Sequence, residues 1–93
     1  MTASEVISVD VKILNRRGLH ARAAAKFVRV AEEFDADIKV SKDDQTVPGT
    51  SILGLMMLAA AKGTSIHIEA VGEECEAAVD ALVTLIEMRF DED

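Results

Sequence analysis

Residues 6–34 read VISVDVKI-LNRRGLH-ARAAAKFVRVAEEF, and the change of period inside this stretch decides the fold. From Val6 to Ile13, apolar Val9, Val11 and Ile13 alternate with Ser8, Asp10 and Lys12, the pattern of a strand with one wet face. Asn15-Arg16-Arg17-Gly18 then makes a polar turn. From Ala21 to Phe34 the period becomes helical: Ala24, Phe27, Val28 and Ala31 fall on one side, with Arg22, Lys26, Arg29 and Glu33 opposite.

Outward from this β-α unit the alternation returns. Asp37–Lys42 predicts a strand with Ile38 and Val40 inward, and Asp43-Asp44 turns it into a second short strand at Gln45–Val47. Pro48-Gly49 stops the hairpin, and Thr50 or Ser51 is placed to cap a helix running to about Ala61, closed by Lys62-Gly63. Ser65–Ala70 predicts a last strand, with His67 on its polar side. Glu73–Phe90 predicts a helix carrying Cys75, Ala78, Val79, Leu82, Leu85, Ile86 and Phe90 on one stripe, with acidic residues in its first turn where they suit the dipole. The order β-α-β-β-α-β-α, with strands apolar on one side only, predicts an α+β open-faced β-sandwich: a four-stranded antiparallel sheet with three helices on one face. Ninety-three residues are expected to form a single domain over 1–93.

Composition excludes several functions. Without Trp or Tyr, and with three Phe, the chain has no aromatic platform for stacking bases, and a net charge of −7 argues against general nucleic-acid binding. The longest apolar run, Ser51–Ala61, is about half of the roughly 20 residues that span a bilayer. Met1–Glu5 carries no basic, apolar secretory signal, so a cytoplasmic location is expected. Cys75 reads as a buried helix residue. His20 and His67 lie far apart in sequence with no cysteine near, so neither a metal site nor a cofactor is expected. The charge is distributed unevenly: Val11–Ala31 contains Lys12, Arg16, Arg17, Arg22, Lys26 and Arg29 and no acid, which leaves four basic residues against all seventeen acids elsewhere. Any partner of this segment should be anionic.

Within that segment His20 stands between a glycine turn and the start of a helix. The opening turn of a helix offers backbone N–H groups without intrahelical partners and the positive end of the dipole, a ready place for an anion. Arg22 adds a planar fork suited to phosphoryl oxygens. A neutral imidazole, with an ordinary pKa of about 6.5, is a good nucleophile near pH 7.

Gly18-Leu19-His20-Ala21-Arg22, followed by Ala25-Lys26-Phe27, closely resembles the phosphorylation-site motif of the histidine-containing phosphocarrier (HPr) family of the bacterial phosphotransferase system. The resemblance runs on through Thr50-Ser51-Ile52-Leu53-Gly54-Leu55-Met56 and Ala61-Lys62-Gly63. It implies that His20 receives a phosphoryl group at Nδ1 from enzyme I, that Arg22 helps to hold it, and that an EIIA-type acceptor protein takes it onward. The family usually has proline after that arginine; here the position is Ala23. Proline would fix the first helical turn, which alanine leaves freer. The acidic end Phe90-Asp91-Glu92-Asp93 and the Arg16-containing turn look like the nitrogen-related branch, whose output is regulation instead of sugar uptake.

Ser51 reads fully as a helix N-cap. The resemblance implies a second role, as the site of an HPr kinase/phosphorylase. The second helix is apolar nearly all round, so part of it must be exposed; Leu53 and Met56 are the expected outward pair, completing with Arg17, Lys26 and Arg29 a surface for docking partner proteins. The chain is expected to be a monomeric carrier and substrate of enzyme I, not an enzyme. A regulatory module whose phosphorylation state switches partner affinity is the alternative. A hydrolase or metal-dependent enzyme using His20 would need a second acid, base or ligand that the sequence does not supply.

Overall fold

The structure, a computed structural model, describes residues 6–92; Met1–Glu5, read above as carrying no secretory signal, and the last tail residue, Asp93, lie outside the described residues. Along the chain run β1 (Val6–Lys12), α1 (Ala21–Ala31), β2 (Asp37–Lys42), β3 (Gln45–Pro48), α2 (Ile52–Met57), β4 (Ser65–Val71), α3 (Cys75–Glu87) and a single tight turn, Arg89–Asp91. The sheet order is β1-β4-β2-β3, antiparallel throughout. Ile68 is central, opposite Val9 on one side and Val40 on the other. This is the predicted α+β open-faced sandwich.

Alternation within the strands sends Ile38, Val40, Ile66, Ile68 and Ala70 into one core, where they meet Ala24, Phe27, Val28 and Ala31 of α1 and Ala78, Val79, Leu82 and Ile86 of α3. Cys75 is buried at the start of α3, as its spacing predicts. On the wet face Asp10 sits opposite His67 in the β1–β4 register, and the imidazole Nδ1 lies 2.8 Å from the Asp10 carboxylate, a cross-strand pair.

All three helices end earlier than the sequence predicts, in each case because hydrogen bonds or packing from elsewhere claim the chain. α1 stops at Ala31 rather than Phe34, since Asp35 N–H donates to the Glu74 carboxylate while the Asp35 carbonyl accepts from Glu74 N–H. α2 stops at Met57 rather than near Ala61. Ala59 turns left-handed (φ 53°), and the carbonyl of Ala60 accepts from Leu19 N–H at 2.9 Å. A Cβ on Gly18 would lie 2.5 Å from that same carbonyl oxygen, and φ there is +67°, so this close approach requires glycine. The glycine turn before His20 is thus locked to the end of α2.

The third early end matters most. The periodicity puts Phe90 on the stripe of the last helix, but α3 finishes at Glu87 and Phe90 reaches the core by another route. Arg89, Phe90 and Asp91 have φ of 59°, 55° and 61°, three successive left-handed residues without a glycine among them. Such a conformation costs about 1–2 kcal/mol per residue. Full burial of the Phe90 ring offsets part of it, at about 1.5–3 kcal/mol for a side chain of this size. The turn reverses the chain and aims the next residue, Glu92, back across the start of α1.

Candidate functional site

His20 is the N-cap of α1. Its backbone is extended (φ −78°, ψ −178°), its carbonyl accepts the first helical bond from Ala24 N–H at 2.8 Å, and its ring Nδ1 accepts from Arg22 N–H at 3.3 Å. The imidazole therefore does what a serine or aspartate side chain ordinarily does at this position. Nδ1 consequently faces the unpaired amides and the positive end of the helix dipole.

The other ring nitrogen has a partner that the sequence does not reveal. Nε2 lies 2.5 Å from Glu92 Oε2. The second oxygen of that carboxylate accepts from Asn15 Nδ2 at 3.1 Å, and the same Nδ2 donates to the Gly18 carbonyl at 2.8 Å. Because a backbone N–H can only donate and a carboxylate accepts, these partners assign the ring hydrogen to Nε2 and leave the lone pair on Nδ1. Asn15 is fully buried, and its Oδ1 has no hydrogen-bond partner among the described residues. An orphaned buried carbonyl costs about 1–3 kcal/mol, so the amide is oriented for what its nitrogen holds, Gly18 and Glu92.

Side chains of His20 and Glu92 are 19% and 15% exposed. Burial by itself would raise the Glu92 carboxyl pKa. The hydrogen bonds from His20 and Asn15, with attraction to the imidazole and to Lys26, outweigh it and hold the carboxyl below its ordinary value. Lys26 also anchors the turn, its Nζ donating to the Phe90 carbonyl at 2.6 Å.

Around this cluster Arg16, Arg17, Arg22 and Lys26 line a cleft of about 320 Å³ together with Asp91 and Glu92. A shallower depression of about 170 Å³, lined by Arg17, Leu19, His20 and Ala59–Ala61, opens beside it. Four cations thus gather at one helix N-terminus beside a nucleophilic nitrogen, an arrangement suited to binding and holding a phosphoryl group.

Of the residues predicted from sequence, His20, Arg22, Arg17 and Lys26 come together here, whereas Arg29 is exposed on α1 and does not line the cleft. Ser51, not Thr50, caps α2, its Oγ accepting from Gly54 N–H at 2.9 Å. The exposed apolar residues of α2 are not a pair but four: Ile52 and Met57 accompany Leu53 and Met56, with Leu53 at 68% and Met57 at 63%. Only Leu55 within the helix is buried, because so short a helix turns a single residue fully inward. Asn15 and Glu92 are the site residues that sequence reasoning misses. Their identities carry a signal only as a polar turn and an acidic tail, and nothing in local spacing links His20 to a residue 72 positions away. No group of three or more His, Cys, Asp or Glu side chains able to hold a metal occurs among the described residues, and no helix there is long and apolar enough to cross a membrane.

Comparison with known proteins accords with this geometry. Residues 7–88 match the family model described as "PTS HPr component phosphorylation site". The phosphocarrier protein HPr of Pseudomonas aeruginosa is 48% identical over 86 residues, covering 91% of this chain and 96% of its own. Phosphocarrier protein NPr of Shewanella violacea is 42% identical over 83 residues, covering 89% and 91%. Among solved structures, HPr from Thermoanaerobacter tengcongensis superposes with a TM-score of 0.89 at 42% identity, covering 94% of this chain and 98% of that one. HPr from Bacillus anthracis gives 0.83 at 40% identity, covering 87% and 96%. With the family model matched over most of its length and relatives this similar, the chain belongs to the HPr family of phosphocarrier proteins of the phosphotransferase system.

Proposed function

We propose that His20 is the residue that carries the phosphoryl group: enzyme I, itself phosphorylated from phosphoenolpyruvate, donates to Nδ1, and an EIIA-type protein accepts from it. The observation that carries this reading is the N-cap placement of His20, with Nδ1 turned toward the helix N-terminus and Arg22 lining the adjacent cleft. In-line transfer asks of the carrier little beyond positioning and charge stabilisation on the equatorial oxygens, which the amides and arginines supply. Mass spectrometry after incubation with enzyme I and phosphoenolpyruvate should find one acid-labile phosphate on His20 per chain. The His20→Ala variant should fold and accept none; normal acceptance by that variant ends the proposal.

The same reading makes residues 1–93 one cytoplasmic, monomeric domain that docks through Arg17, Lys26, Arg29, Leu53 and Met56. Ser51 is its regulatory position, open to an HPr kinase/phosphorylase. The exposed apolar face of α2 also fits a regulatory role in which the phosphorylation state switches affinity for further protein partners. That role uses the same surface and the same histidine.

A further inference from the structure

We infer that Glu92 is a positioning residue for the phosphoryl-transfer step, holding the His20 ring through Nε2 so that Nδ1 alone presents a lone pair, and countering the positive charge the ring acquires. The inference rests on the reading of His20 as phosphoryl acceptor and adds to it a residue at the other end of the chain. Two independent features of the fold converge on this contact. The left-handed turn Arg89–Asp91, pinned by buried Phe90 and by Lys26, directs Glu92 at the ring. Buried Asn15 orients the carboxylate, and its own carbonyl goes unpartnered among the described residues while its nitrogen does so. The contact is on Nε2, leaving Nδ1 to the helix amides, so Glu92 does not occupy the place where phosphorus must arrive.

The chemistry rests on that division of the ring. The Nδ1 lone pair gives up its hydrogen bond from Arg22 N–H and forms the new N–P bond while the bond from phosphorus to the donor breaks, its electron pair leaving with the donor. The hydrogen stays on Nε2, so the phosphorylated ring is cationic. Its charge faces the Glu92 carboxylate, much as a carboxylate behind a catalytic imidazole fixes the tautomer and stabilises the imidazolium. In the onward step the ring leaves as a neutral imidazole with Nε2–H retained, ready for the next cycle. Other charges at this place belong to Arg16, Arg17, Arg22, Lys26 and Asp91, all on the cleft side. Glu92 is the acid within hydrogen-bond distance of the ring.

The test compares wild type, Glu92→Gln and Asn15→Ala by three measurements: nitrogen-15 chemical shifts of the unphosphorylated His20 ring in alkaline solution, the initial rate of phosphorylation by enzyme I, and the pH profile of phosphohistidine hydrolysis. In wild type the ring should be all Nε2–H. In Glu92→Gln an Nδ1–H fraction should appear, the rate should fall about tenfold, as on removal of a partner that orients a functional imidazole, and the hydrolysis profile should move to lower pH. Asn15→Ala should move each readout in the same direction and by less. A Glu92→Gln variant with wild-type ring shifts, rate and hydrolysis profile overturns the inference. Absence of phosphate on His20 in the wild type would instead overturn the acceptor reading, and the ring shifts would still decide whether Glu92 fixes the tautomer.

Discussion

Lys26 Nζ donates to the carbonyl oxygen of Phe90 at 2.6 Å, so the first helix of the chain holds its last turn in place. A residue expected to serve docking therefore has an internal partner. Lys26→Met keeps the aliphatic stem and removes the donor. It should cost about 1 kcal/mol, the scale of one partly solvated hydrogen bond, which lowers Tm by roughly 4–8 °C in a domain of this size. Amide exchange at Asp91 and Glu92 should accelerate more than in β4, because the loss is local. Unchanged exchange in the tail would show that Phe90 burial holds the turn without Lys26.

Gly18 is the tightest point of the framework beneath His20. In Gly18→Ala the new methyl would meet the Ala60 carbonyl oxygen at 2.5 Å with φ at +67°, and its nearest neighbours are all backbone. The left-handed conformation alone costs about 1–2 kcal/mol, and displacing the end of α2 adds to it, so a loss of at least about 2 kcal/mol is expected in denaturant unfolding. Gly63→Ala is the control: φ is +91°, but nothing lies within 4 Å of its Cβ, so only the conformational strain should be felt.

Ser51 separates capping from charge. Its hydroxyl caps α2 at Gly54 N–H, and both aspartate and asparagine cap about as well, so Ser51→Asp and Ser51→Asn should each stay within about 0.5 kcal/mol of wild type. Only the aspartate should slow phosphorylation of His20, because its charge sits beside the exposed apolar residues of α2, the surface proposed for docking. If both variants accept phosphate at the wild-type rate, the residue is a cap alone. If both are equally slow, the hydroxyl itself makes the contact.

Stability should depend on pH through the tail. The folded-state pKa of Glu92 is depressed below the ordinary 4.5, so the ionised carboxylate contributes stability that is fully present above that value and is lost as pH falls through the folded pKa. Unfolding midpoints of wild type and Glu92→Gln should differ by a constant amount at and above neutral pH and converge in acid. A difference that persists or widens below the carboxylate range would place the contribution of Glu92 in packing rather than in charge.

Local pattern determined much of this protein. Period-two runs gave all four strands to within a residue or so, because a sheet with one buried face imposes alternation on every strand that joins it. His20 at a helix start and Ser51 as an N-cap were legible for the same reason, since caps are fixed by residues within a few positions of one another. The ends of the helices were not. Ala31, Met57 and Glu87 end theirs because Glu74, Leu19 and the Phe90 site draw the next residues elsewhere, and such distant claims leave no trace in a local period. The site shows the same division: the histidine proposed as its phosphoryl acceptor stands out within five consecutive residues, Gly18 to Arg22. Glu92, the partner of its other nitrogen, and Asn15, which holds that carboxylate, do not, because the end of the chain is brought back to its beginning by the packing of Phe90 into the core and the bond from Lys26 to its carbonyl.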